Sequence, residues 1–172
     1  MAKKEQEQSV EWFTTMIRSM GNFSKNTKAL RDSGFGKLTT DLELGQYYFF
    51  VYDAKLKDIL PQWDAFPVML PIEYYADSCL GLNLHYLPVG ARMALHNKLL
   101  DFNSSPNLTE SSRISARYDL MKGVKRYKGF EQCIHKYLFS HIQSQFLEIA
   151  PKYWMTALNL PVQRWRGNGS PY

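Results

Sequence analysis

Cysteine and long apolar runs are scarce in this sequence, and so are the glycine patterns of nucleotide-binding loops. Two cysteines in 172 residues, Cys79 and Cys133, are too few for a disulfide framework, so a reducing compartment is the default. Uninterrupted apolar runs are only a few residues long, which excludes a spanning helix and leaves no reason to expect a membrane partner. Met1 leads into Lys3, Lys4, Glu5 and Glu7 rather than into a basic-then-apolar signal, so no export segment is expected. There is no Gly-x-Ser-x-Gly elbow, and Gly34-Phe35-Gly36-Lys37 is too short for a phosphate loop. His85, His135, His141 and the two cysteines match no zinc spacing; His135 and His141, six apart, would point to different helix faces. No metal, cofactor or small-molecule substrate is therefore expected, and no catalytic residues.

The chain does have bulk and an uneven charge. With 45% hydrophobic and 15% aromatic residues it has the material for one folded domain with a real core. Its net charge of +5 is distributed as +3 over residues 1–40, −5 over 41–110 and +7 over 111–172. The densest basic part is Arg113, Arg117, Lys122, Lys125, Arg126 and Lys128, joined later by Lys152, Arg164 and Arg166. Clustered Lys and Arg gain by releasing the counterions around phosphates, so this segment is the candidate for DNA contact. A solvated basic helix face, or a patch that meets the acidic middle of another copy, would carry the same pattern.

Along the chain, Ser9 caps a short N-terminal helix with Val10, Phe13, Met16, Ile17 and Met20 at helical spacing, ended by Gly21. Trp12 widens its apolar stripe and is a candidate anchor for a protein partner. Asn22 to Thr40 reads as a basic arm. Three strands follow: Tyr47–Asp53, rich in aromatic and β-branched residues; Phe66–Glu73, bracketed by prolines that suit an edge or strand ends; and Leu80–His85, where leucines alternate with Gly81, Asn83 and His85. Tyr74 to Ser78 reverses the chain between the last two.

Pro88 then opens a helix with Val89, Met93, Leu95 and Leu99. Thr109 caps a second helix, with Ile114, Tyr118 and Met121 inside and the basic residues outside. A third is expected from Phe130, Cys133, Ile134, Tyr137, Leu138, His141 and Ile142. Strand alternation returns at Phe146–Ile149, and Ala157–Pro161 reads as a fifth strand.

The expected fold is thus α+β: a small SH3-like β-barrel with a helical insertion between strands 3 and 4, plus an N-terminal helix. The implied organisation is an N-terminal helix and arm over 1–40, one domain over 41–163 with inserted helices over 88–144, and a flexible basic tail over 164–172. The barrel requires Lys152–Leu160 to be a strand; if that stretch is helical, the sheet is open and packed by helices.

Three further groups are candidate sites. Asp53, Asp58, Asp64, Glu73 and Asp77 would have to converge on Mg²⁺ for nuclease chemistry, but they fall in turns where Asp commonly bonds backbone. Tyr47, Tyr48, Phe49, Phe50 and Tyr52 send rings to both faces of one strand, for base stacking, a protein interface or packing under the insertion. Arg164-Trp165-Arg166 suits stacking on a base or anchoring in a neighbouring subunit.

The blocks Tyr48-Phe49-Phe50-Val51-Tyr52-Asp53-Ala54-Lys55, Trp63-Asp64-Ala65-Phe66-Pro67 and Leu80-Gly81-Leu82-Asn83-Leu84-His85-Tyr86-Leu87-Pro88 resemble proteins of T-even-like tailed phages. Cys133-Ile134-His135-Lys136-Tyr137-Leu138, Phe146-Leu147-Glu148-Ile149 and Leu158-Asn159-Leu160-Pro161 fit the same pattern, so the resemblance spans about residues 46–163. The family is that of DNA end protector or head-completion proteins. It implies a non-enzymatic virion protein, in the host cytoplasm during assembly, that sits at the packaged DNA terminus with other virion proteins; it supplies no catalytic motif. Double-stranded DNA is the expected partner, through Arg113, Arg117, Lys122, Lys125, Arg126, Lys128, Arg164 and Arg166. The alternative is a structural part of the neck, tail or baseplate, in which Trp12 and Trp165 are interface anchors.

Overall fold

In a computed structural model, residues 34–60, 63–104, 109, 111–112, 119, 123, 128–158 and 165–166 are described. Among them six strands form one antiparallel sheet in the order β1-β7-β2-β4-β5-β6. These are β1 (Gly36–Thr39), β2 (Tyr48–Phe49), β4 (Val68–Tyr74), β5 (Ser78–Asn83), β6 (Ile134–Leu138) and β7 (Phe146–Ile149). A separate pair is formed by β3 (Trp63–Asp64) and β8 (Trp165–Arg166). Among the described residues two α-helices have defined bounds, α1 (Val89–Ser104) and α2 (Trp154–Leu158).

The aromatic run around β2 works by its period of two. Tyr47 and Phe49 face one core with Val68, Leu70, Leu82, Leu84, Leu147 and Ile149, roofed by Leu95 of α1 and Trp154, Ala157 and Leu158 of α2. Tyr48, Phe50 and Tyr52 face a second core with Trp63, Met69, Cys79, Tyr137 and Phe146. The sheet curls around this second cluster. Gln143 donates its N–H to Val51 O at 2.9 Å and Asp53 donates to His141 O at 3.0 Å, on either side of a bridge between Tyr52 and Ile142.

That single bridge does not close the sheet, so the expected SH3-like barrel is corrected to an open antiparallel sheet with β1 and β6 at its edges. The segment meant to supply the fifth strand is helical: Pro151 starts a 3-10 turn through Tyr153 and α2 follows. Trp154 fits this: at the start of the helix its indole N–H reaches Ile149 O at 2.7 Å and its ring fills the first core. The missing strand is replaced by Gly36–Thr39, read from composition as part of the arm, which pairs with β7 from Gly36↔Ile149 to Thr39↔Phe146.

The third expected helix is corrected too. Lys128–Cys133 is a 3-10 stretch and Ile134–Leu138 is β6, paired with β5 from Leu82↔Ile134 to Ser78↔Leu138. Tertiary pairing overrides the local 3.6-residue pattern here: Cys133 is buried at the end of the 3-10 stretch and Tyr137 from the extended chain of β6. The inserted segment between β5 and β6 therefore contains α1 and the 3-10 stretch. Thr109 does cap a turn, its Oγ1 accepting Ser112 N–H at 3.2 Å. The N-terminal helix and most of the second inserted helix lie outside the described residues.

Prolines do not confine β4 to an edge. Pro71 stands opposite Gly81 at a shift in the β4–β5 register, beyond the reach of β2, which pairs only with Val68 and Met69. Gly81 itself is required there, since a Cβ would overlap the Met69 thioether.

Candidate functional site

The prominent polar feature is buried and joins β3 to the end of β5. Asp64 Oδ1 accepts the Phe66 N–H at 2.9 Å, while Oδ2 accepts Asn83 Nδ2 at 3.1 Å and His85 Nδ1 at 2.6 Å. A carboxylate oxygen only accepts, so Nδ1 of His85 carries the proton. Asn83 also accepts the His85 backbone N–H at 3.0 Å, which fixes the 3-10 turn Leu84–Tyr86. Burial alone would raise the Asp64 pKa; the charge of His85 and hydrogen bonds from His85, Phe66 and Asn83 outweigh it and hold the carboxyl below its ordinary value.

Arg92 of α1 closes the underside of this turn. Buried to 4% exposure, it donates from Nε to Leu87 O at 2.8 Å, and from its two terminal nitrogens to Leu158 O at 2.7 Å and His85 O at 3.0 Å. One guanidinium thus ties α1, the end of α2 and the His85 turn together.

Above Asp64 lies a cleft of about 270 Å³. Its walls are Tyr52, Trp63, Tyr86, Tyr137 and His135, with Asp64 and Asn83 among its lining. Tyr52 and Tyr137 meet edge to face with centroids 4.9 Å apart, and the Tyr86 and His135 rings are 4.5 Å apart. His135 Nε2 donates to Gln132 O at 3.1 Å, and burial lowers the His135 pKa. The rim is the Ala54–Leu60 turn, where Lys55 is exposed and Leu56, Ile59 and Leu60 are 52%, 76% and 40% exposed. Asp53 steadies this turn through an ion pair with Lys57 at 2.7 Å. No Ser, Thr or Cys is among the residues lining the cleft. Burial pushes both thiols, Cys79 and Cys133, up to about 12.

The carboxylates weighed for Mg²⁺ do not converge: Asp64 is held by His85, Asp53 by Lys57, and Asp77 accepts the Ser78 hydroxyl at 2.7 Å. Among the described residues no three His, Cys, Asp or Glu side chains gather as a metal ion needs. The aromatics of β2 are packing residues, each at most 8% exposed. His141, expected on a helix stripe, instead hydrogen-bonds the Asp53 carbonyl through Nδ1 at 2.9 Å.

Of the expected DNA contacts, Arg113, Arg117, Lys122, Lys125, Arg126 and Arg164 lie outside the described residues, as does Trp12. Lys128 starts the 3-10 stretch before β6. Trp165 and Arg166 form β8, with Trp165 paired to Asp64 and Arg166 to Trp63, so this end of the chain runs beside the buried carboxylate. Asp64, Asn83 and His85 escaped the sequence reading as a unit. The available signal was the polar face of the Leu80–His85 alternation, which reads as solvent-facing but is buried.

These features describe an α+β protein with an open, curled sheet, an aromatic cleft and a strongly basic C-terminal third. The profile of the phage T4 terminal DNA protecting protein family matches residues 2–172, and the chain belongs to that family. No curated protein and no solved structure matches it significantly.

Proposed function

We propose that the protein binds duplex DNA without sequence preference at the terminus of a packaged phage genome and shields that end, acting in the virion and without catalysis. Membership of the terminal DNA protecting family over nearly the whole chain carries this reading. The +7 charge of residues 111–172 supports it. In this reading Arg113, Arg117, Lys122, Lys125, Arg126, Lys128, Arg164 and Arg166 contact phosphates, and Trp12 and Trp165 anchor neighbouring virion proteins. Phosphate contacts position a protein without reading sequence.

Binding to a linear duplex, measured at two salt concentrations, tests this. With six or more phosphates neutralised, affinity falls roughly a thousandfold or more between about 50 and 200 mM salt. Absence of binding at low salt overturns it. The exposed Leu56, Ile59 and Leu60 favour a second reading, a purely structural part of the neck, tail or baseplate, which that negative result together with particle association would support.

A further inference from the structure

The cleft over Asp64 has a chemistry that the basic segment lacks. Its walls are rings, its floor is a carboxylate beside a carboxamide, and two exposed cations line it, Lys55 next to Leu56 and Lys136 of β6. We propose that it takes the terminal nucleobase of a DNA strand, stacked on the aromatic walls, with ring donors toward Asp64 and Asn83 and the phosphate outside near Lys55.

The proposal rests on the DNA-end reading above and names the part of the end that is held. At about 270 Å³ the cleft falls just below the range of roughly 300–1,000 Å³ typical of pockets for drug-sized ligands, so it suits one planar ring system and not a length of backbone. The Asp64 carboxylate accepts from N–H groups and offers no donor to a phosphate oxygen, so the base enters and the phosphate stays out beside the lysines. Inside a duplex a base reaches such a cleft only by breaking its stacking on both sides. At a strand end half of that cost is absent, and unpaired bases leave the stack most readily. Aromatic walls accept any base, in keeping with recognition of an end rather than a sequence.

The test uses the full chain and a duplex carrying 2-aminopurine either at a strand terminus or in the interior, whose fluorescence drops on stacking against protein rings. Affinity for linear DNA is compared with that for covalently closed circles. Terminal probe fluorescence is quenched and the internal probe is not. His135→Ala, which removes a partly exposed wall, and Ala54→Phe, which fills the cleft, abolish the quenching. Both variants lower the preference for linear DNA about tenfold, the scale of one stacked base, and leave affinity for closed circles unchanged. Equal quenching of both probes, or variants that keep the terminal quench, overturns the cleft assignment while DNA binding stands. So does deoxyadenosine monophosphate displacing the terminal probe at concentrations comparable to DNA ends, since a free nucleotide would then be the ligand. Failure to bind either DNA at low salt overturns the DNA reading and this proposal with it.

Discussion

Replacing Asp64 by Asn isolates the energetics of the buried network. The side chain keeps its shape and one acceptor, which continues to receive the Phe66 N–H. Its new NH₂, however, faces Asn83 Nδ2 and the protonated Nδ1 of His85, so two donors lose their acceptor and a third donor is turned against them. Each buried donor left without its acceptor costs about 1–3 kcal/mol, so two orphaned donors, with the Phe66 bond retained, place Asp64→Asn at about 3 kcal/mol at pH 7. Urea unfolding of both proteins measures this. A second arm varies pH. Because the folded Asp64 pKa is depressed, its stabilisation is fully present above the unfolded carboxyl value of about 3.9 and is lost as pH falls through the lower folded value. Stability of the parent protein therefore drops more steeply below about pH 4 than that of Asp64→Asn, by up to about 1.4 kcal/mol per pH unit where this one proton binds. A loss under about 1 kcal/mol at pH 7, or identical acid limbs, refutes the argument that an ionised Asp64 locks β3 to the His85 turn.

Arg92→Met keeps the apolar stem and deletes the donors to Leu87 O, His85 O and Leu158 O; about 3 kcal/mol of stability is lost, or roughly 6–12 °C in Tm, and a Tm within about 2 °C of the parent contradicts it. Arg92→Lys rescues little of this, because an ammonium cannot fork to three carbonyls. Cys79 and Cys133 are fully buried with thiols pushed up to about 12, so a disulfide reagent at about pH 8 labels neither in the folded chain and both after denaturation; rapid stoichiometric labelling of the native protein contradicts that burial.

The strands legible in the sequence were those whose signal is local. Tyr47–Asp53 and Phe66–Glu73 carry β-branched and aromatic residues in runs that fit no helix face, Leu80–His85 alternates leucines with small or polar residues, and Phe146–Ile149 is bounded by turn residues. Gly36–Thr39 was not legible, because its only reason to be extended is β7, more than one hundred residues later. Ile134–Leu138 was misread for a related reason: its apolar residues keep helical spacing, but in a strand i and i+4 fall on one face and i+3 and i+7 on the other, and pairing with β5 selects the strand. Trp154 shows the reverse case, where alternation around Phe146–Ile149 seemed to continue but a core position and an indole hydrogen bond to Ile149 favour a helix. The site was less legible than the fold. Asp64 reads as a turn carboxylate and Asn83 and His85 as the wet face of a strand; only the β4–β5–β6 register, with Asp64 against the end of β5, turns three ordinary polar residues into one buried unit.

Topology also relates the two parts of the molecule assigned to DNA. The insertion that contains Arg113, Arg117, Lys122, Lys125 and Arg126 leaves the sheet at the end of β5, after Asn83, and returns at β6, where Ile134 pairs with Leu82. Its two ends are therefore neighbours in the sheet, and the residues at those ends, Asn83 and Tyr86 on one side and His135 on the other, line the cleft. The insertion as a whole thus starts and finishes beside the aromatic walls, and β8 brings the backbone of Trp165 and Arg166 against the third side at Trp63 and Asp64. Under the proposed DNA-end function, an insertion tethered at both ends to the cleft would separate two tasks: charge that acts on any phosphate backbone, and ring stacking available only where a strand stops. In the same proposal the buried Asp64 and Asn83 offer acceptors to ring N–H groups, while phosphate contact falls to the exposed Lys55 and Lys136 at the mouth.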